Sequence, residues 1–173
     1  MEILLLRLIH IGAGVFWVGS VLTFHLFIQP AAIAAGPAAT GFTYQLLHHR
    51  RFSVAILTSG LIAVIAGISL LVITSNGLNP DILFGASRLG FTIGGVVAIL
   101  SLGVGALYLF PRTRTVEATI GGLLAQGRPP TPAEQELLAR TGREARAAGW
   151  VVSIGLIVAV ICMATASYWT VFL

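Results

Sequence analysis

Apolar residues run along this chain in four long stretches, at about residues 3–28, 52–74, 88–110 and 149–172, with polar residues gathered between them. A transmembrane helix needs about 20 mostly apolar residues, so each stretch has the length and character of a membrane span. Breakers and charges divide them. Residues 30–41 are rich in Ala, Gly and Pro and lead into Tyr44-Gln45-Leu46-Leu47-His48-His49-Arg50-Arg51, while Asn76-Gly77-Leu78-Asn79-Pro80-Asp81 reads as a short turn. Pro30 and Pro111 mark the expected ends of the first and third helices. The first stretch is too long for the core of a secretory signal and lacks a small-residue cleavage site after a short apolar segment, so a retained helix is expected. The predicted fold class is all-α: one domain, an integral membrane bundle of four transmembrane helices.

The one substantial polar segment, residues 112–148, carries its own helical signals. Thr131-Pro132-Ala133-Glu134 reads as a helix start: Thr caps, Pro suits the first helical position, and Glu follows three residues after the cap. A short cytoplasmic amphipathic helix is therefore expected before the last span. Val116, Ile120, Leu123 and Leu124 share a face at helical spacing, which suits a helix lying along a membrane surface. Small residues recur every fourth position: Ser59, Ala63 and Gly67 in the second span, Gly90, Gly94 and Ala98 in the third, Gly155 and Ala159 in the fourth. In lipid such stripes let helix backbones approach closely, either within the bundle or between protomers.

Composition sharpens this picture. With 57% hydrophobic and 9% charged residues, the chain cannot present the mixed polar surface of a soluble domain. All ten basic residues are arginine, which excludes mechanisms that require lysine. Arg50, Arg51, Arg112, Arg114, Arg128, Arg140, Arg143 and Arg146 lie in the first and third connections, against Arg7 and Arg88 at the opposite helix ends. The positive-inside rule then puts those connections in the cytoplasm and both termini on the outer side of a bacterial-type inner membrane. The net charge of +4 reports topology and contact with anionic membrane lipid, and no nucleic-acid partner is expected. Cys162 is the only cysteine, so an intrachain disulfide and a cysteine-pair metal site are excluded.

Ionisable groups inside a bilayer are costly, which makes the histidines the candidate chemistry. His10 and His25 stand fifteen residues apart, about 22 Å along a helix, too far to share one metal or haem. His25 is expected at the depth of His48 and His49, an arrangement that suits two axial ligands facing one haem iron across a bundle. Adjacent helical residues point about 100° apart, so only one of His48 and His49 would face that haem. His10 has no histidine at its own depth; Met163 is its candidate partner, or the position stays open. The alternatives are a His10 hydrogen-bonded to a neighbouring helix, an interfacial His25, and a His48-His49-Arg50-Arg51 cluster that anchors lipid head groups. Gly12 and Gly14 flank His10 and leave room for a flat macrocycle, and Gly19 follows Trp17. Trp17 lies two turns from His10 on the same face, to pack on a macrocycle or to fill the bundle. Arg88 is an outer-interface anchor or a partner for a haem propionate. Cys162 and Met163 otherwise serve as soft apolar filling.

Some of these residues fall in a known pattern. Leu8-Ile9-His10-Ile11-Gly12, Phe16-Trp17-Val18-Gly19 and Gln29-Pro30 resemble the first helix of the copper resistance protein D-like membrane proteins. Arg51-Phe52-Ser53-Val54-Ala55 followed by Thr58-Ser59-Gly60 looks like the start of that family's next helix. The spacing of His10 and Trp17 is also similar to that of the HemJ-type protoporphyrinogen oxidases. The likeness covers about residues 8–60 and is weaker in Met163-Ala164-Thr165-Ala166-Ser167-Tyr168. It implies a four-helix membrane bundle whose first-helix histidine ligates haem b. The HemJ-type enzymes are expected to carry a lysine in the third helix, and this chain has none, Arg88 being the nearest basic residue.

The expectation is a haem b-binding integral membrane protein acting in electron transfer. It holds one haem at His10, or two with the second at His25 and His48 or His49. A redox partner is implied, and the chain is expected to be a homo-oligomer or a subunit of a membrane complex. No nucleophile, base and acid stand together in the sequence, which leaves an oxidoreductase activity of its own open and assigns no catalytic residue. The alternatives are a cofactor-free accessory or assembly subunit, and a metal or solute transporter of the copper resistance D type. With two Met and one Cys the chain is short of the soft ligands that copper transport uses. A path through the middle of the bundle would have only Thr58, Ser59, Ser69, Thr92 and Ser101.

Overall fold

Long apolar stretches satisfy their backbone groups most simply as helices, and the computed structural model, which describes residues 1–171, contains no strand among those residues. Helix α1 (Glu2–Thr23) passes through a π turn (Phe24–Ile28) into α2 (Gln29–Ala35), and a 3₁₀ turn (Gly36–Ala39) leads to α3 (Thr40–Tyr44) and a second π turn (Gln45–His49). The chain breaks at Arg51, whose φ of 48° is left-handed, and α4 (Phe52–Thr74) begins. A turn with Asn76, Gly77 and Leu78 all at positive φ leads to α5 (Pro80–Leu83), α6 (Ala86–Val104), a third π turn (Gly105–Leu109) and α7 (Phe110–Gln126). Gly127 stops α7 in the left-handed conformation, and α8 (Pro132–Thr165) ends in a 3₁₀ turn (Ala166–Val171). Four continuous helical runs are long and apolar enough to cross a membrane. The expected end of the fourth span at Phe172 lies outside the described residues.

Neither Pro30 nor Pro111 ends its helix, and the reason is the π turn just before each. The Gln29 N–H reaches back to the Phe24 carbonyl, and the Phe110 N–H to the Gly105 carbonyl. Each proline then enters in the first turn of a fresh α-helical segment, where a missing N–H and a fixed φ are tolerated. The expected short helix before the last span and the span itself are one uninterrupted helix, α8. It starts with the predicted capping box: Thr131 Oγ1 accepts from the Glu134 N–H at 3.3 Å, and Glu134 Oε2 accepts from the Thr131 N–H at 2.8 Å. Arg128 closes the corner by donating through both guanidinium nitrogens to Glu134, each at 2.7 Å.

The helices run antiparallel and pack mainly in two pairs, α1 with α4 and α6 with α8. Glycine makes both contacts close. A Cβ on Gly60 of α4 would come within 2.7 Å of Trp17 Cε2, and one on Gly67 within 2.8 Å of His10 Cε1, so two flat rings seven residues apart on α1 lie on two glycines seven apart on α4. Gly90 of α6 meets the backbone of Cys162 and Ala166, and Gly94 meets Met163 and the Ala159 carbonyl. The pairs join over a core of Trp17, Val21, Ala63, Val152 and Leu156. The small-residue stripes thus face inward. Several helix hydroxyls bond to their own backbone, as Ser59 does to the Ile56 carbonyl at 2.8 Å and Ser69 to the Ile65 carbonyl at 3.0 Å, whereas the buried Ser153 Oγ of α8 has no partner among the described residues.

The ends divide by charge. The first two π turns, Arg50, Arg51, α7 and the start of α8 share one end, while the start of α1, the α4–α5 turn and Arg88 share the other. Arg88 donates from Nη1 to Thr74 Oγ1 at 3.2 Å and so ties the start of α6 to the end of α4.

Gly60→Ala should destabilise the protein by about 1–3 kcal/mol, the range for overpacking, because the rigid Trp17 ring fills the space a methyl would need. Gly19→Ala, where a Cβ meets nothing within 4 Å, should be neutral or slightly stabilising by helix propensity. Thermal unfolding of the detergent-purified variants distinguishes the two, and equal effects would contradict the ring-on-glycine contact.

The Glu134 carboxyl, outside the apolar spans, is held at about 2, below its ordinary 4.5, first by the Arg128 hydrogen bonds and then by those from Thr131. A depressed carboxylate contributes stability above its ordinary value and loses it as pH falls toward the folded value. The first turn of α8 should therefore fray as pH drops from about 4.5 to about 2. Glu134→Gln should fray it already at neutral pH. Amide exchange of residues 132–135 reads both, and protection that is unaltered in the variant would remove the capping role.

Candidate functional site

At the arginine-rich end the helices part around a cavity of about 430 Å³. All three π turns border it, through Phe24, His25 and Ile28, through Leu46 and Leu47, and through Gly105 and Leu109. A π turn inserts an extra residue and turns the following side chains, and such turns recur where a helix lines a functional site. The wall is apolar apart from His25, Gln29 and a few hydroxyls, among them Ser53 and Ser101.

His25 is the histidine that lines this cavity, and it is held on two sides. Its Nδ1 lies 3.1 Å from Gln29 Oε1, one turn on. With that oxygen accepting, Nδ1 carries the proton and Nε2 keeps its lone pair. The ring lies flush on Gly149 of α8, where a Cβ would collide with Cε1, and Phe24 packs against it edge to face at 5.3 Å between centroids. Trp17 also reaches the cavity but belongs mainly to the core, 5% exposed over Gly60.

His10 stands farther along α1 and does not line the cavity. Its Nδ1 is 2.7 Å from the Ala63 carbonyl of α4, so Nδ1 donates and the ring acts as a bond between helices. That bond joins two helices and leaves Nε2 with its lone pair, as the Gln29 bond does at His25. Met163 packs on Gly94 of α6. Gly12 and Gly14 have nothing within 4 Å of a built Cβ, so the space beside them is open.

His48 and His49 are exposed and neither lines the cavity, so the expected facing pair with His25 is not assembled there. His48 instead stacks on Tyr44, with centroids 4.9 Å apart and planes 9° apart, and places Nδ1 at 2.8 Å from Glu117 Oε1 of α7. Arg114 Nη1 donates to the same carboxylate at 3.1 Å. His49 meets Tyr44 and His48 edge-on. Arg88 lies at the opposite end of the bundle from the cavity, half-buried in its anchoring contact. Among the described residues no three His, Cys, Asp or Glu side chains come together as a metal site.

Sequence reasoning missed Gln29, Gly149 and Glu117. Gln29 stands four residues after His25, the spacing at which helical side chains meet, and that signal was available. Glu117 is a carboxylate between Val116 and Ile120 on an otherwise apolar face, a second usable signal. Gly149 had none, because only the packing of α8 against the π turn gives it a role.

By fold and site the chain is an all-helical bundle of membrane-span character with a ligand-sized apolar cavity at one end. No protein-family model, curated protein or solved structure matches it.

Gly149→Ala should push the His25 ring off its seat without touching its chemistry. The imidazole resonances should shift while the variant melts lower by about 1–3 kcal/mol, the overpacking range. Unchanged resonances would show that the ring does not rest there.

Proposed function

We propose that the chain is an integral membrane protein of the bacterial-type inner membrane that binds one haem b in this cavity, with His25 as the residue that would hold it, and acts in electron transfer. The observation that carries the reading is a histidine inside a ligand-sized apolar cavity with Nδ1 tied to Gln29 and Nε2 left with its lone pair. That is how a ligating histidine is usually held, its second nitrogen fixing tautomer and ring orientation.

His25 and the apolar wall fit the iron and ring of such a group, and among the described residues no arginine lines the cavity for its carboxylates. Ligand sites span about 300–1,000 Å³ and are mostly apolar with a few placed polar groups, which describes this cavity. When bound, haem would supply the one-electron chemistry. His25 would hold it, with its ring oriented by Gln29 and Gly149, and the apolar wall would exclude water and lower the local dielectric. A single histidine in the cavity supports the one-haem version. Orientation follows the arginines: the cavity end faces the cytoplasm and the start of α1 the outer side.

The test is a reduced-minus-oxidised visible spectrum of detergent-purified protein, with haem quantified per chain by the pyridine method. Near one haem per chain is expected. His25→Ala should abolish it, and His10→Ala should retain it while lowering thermal stability through loss of the bond to Ala63. Haem lost on removing His10 but kept on removing His25 would move the site to the outer half. A flat spectrum from folded protein would end the haem reading.

A further inference from the structure

Residues 29–44 lie against the cavity without being built into the bundle. Gln29, Ala32, Gly36, Thr40 and Thr43 line it, yet α2, the 3₁₀ turn and α3 contain no buried residue. Helix α2 packs chiefly on the turns that flank it in sequence, and α3 meets the rest of the fold mainly at α7. Ile33 and Phe42 line the cavity while staying 51% and 55% exposed, so they form its rim. Gly36, at φ 56° and ψ −133°, is a joint that a side chain would strain.

The far end of this segment is fastened by two contacts on one face of α7. The Tyr44 ring sits where Gly121 has no side chain, and a Cβ there would come within 2.9 Å of Tyr44 Cε2. His48, stacked on Tyr44, reaches Glu117, which is 7% exposed and also held by Arg114. Glu117 and Gly121 are four residues apart, one turn of α7, and Val116 and Ile120 beside them line the cavity.

We propose that residues 37–44 form a strap that closes the cavity, hinged at Gly36 and latched to α7 by Tyr44 on Gly121 and His48 on Glu117. Release of the latch swings the strap off the rim and admits the ligand, and closure seals it in. This rests on the reading of the cavity as a binding site, whatever that ligand is. The exposed apolar rim suits a ligand arriving from lipid or from the membrane surface.

The test uses the full chain without added haem. In a Cys162→Ala background, Ala145→Cys places a thiol on the cavity wall of α8, and Ala147→Cys places one on the exposed side of the same helix. Labelling by a water-soluble maleimide is timed for each, alone and combined with His48→Phe, which keeps the stacking ring, or Glu117→Gln. Either latch variant should speed labelling at position 145 about tenfold, the scale of one hydrogen bond to a charged group, and leave position 147 unchanged. No change at 145 in either variant, or an equal rise at both positions, would overturn the strap. Since this readout needs no haem, a flat haem spectrum beside faster labelling would sink the haem reading and leave the strap standing.

Discussion

The structure depends on flat rings seated on glycines. Within an apolar medium helices gain little from burying one more leucine against another, so close backbone approach and interhelical hydrogen bonds must hold the bundle. Trp17 on Gly60, His10 on Gly67 and His25 on Gly149 each combine a wide ring with a position that has no side chain. His10 adds a hydrogen bond to the Ala63 carbonyl, whose side chain belongs to the central core. The matching seven-residue spacing of rings on α1 and glycines on α4 sets the register of that pair. With the register set, His25 arrives at the level of Gly149 and the cavity.

Three π turns then make room. A regular helix would have carried α1 and α6 past this level with their neighbours packed as closely as in the middle of the bundle. The π turns at Phe24–Ile28, Gln45–His49 and Gly105–Leu109 widen the helices at the cavity wall, and they let the chain continue through Pro30 and Pro111. The same irregularity thus serves both length and opening: α2 and α7 extend beyond the bundle's middle and close over its arginine-rich end. The Arg112–Glu144 pair there joins α7 to α8, and Arg140 binds the same carboxylate one turn away along α8. Exposed pairs of this kind contribute little individually, so they trim the arrangement that the apolar contacts have already set.

The four histidines differ in their partners. His10 joins two helices and His48 joins a turn to α7, each by giving its Nδ1 proton to an acceptor on another element. His25 gives its proton to a residue of its own helical run, and its ring lies at the cavity wall. The three differ in burial as well: His25 is buried, His10 half-buried and His48 exposed. His49 has only ring contacts and remains the plain surface histidine of the cluster.

By itself the sequence determined the class of fold. Four apolar runs of span length, a capping box at Thr131 and small residues every fourth position are local properties, decided by period, length and residue type, and each is present as expected. It also marked His10, Trp17 and His25 as residues of consequence, because polar or very large groups in apolar helices need a reason. What each one does was decided by tertiary structure. That His10 meets the Ala63 carbonyl depends on the register of α1 against α4, and that register is a fit between surfaces far apart in the chain. Pro30 and Pro111 were misread for a related reason: a proline's cost depends on the hydrogen-bond pattern one turn earlier, and a π turn has no strong signature in residue type. The cavity, the strap across it and the seat of His25 on Gly149 exist only where four helices meet, so no single stretch of sequence carries them.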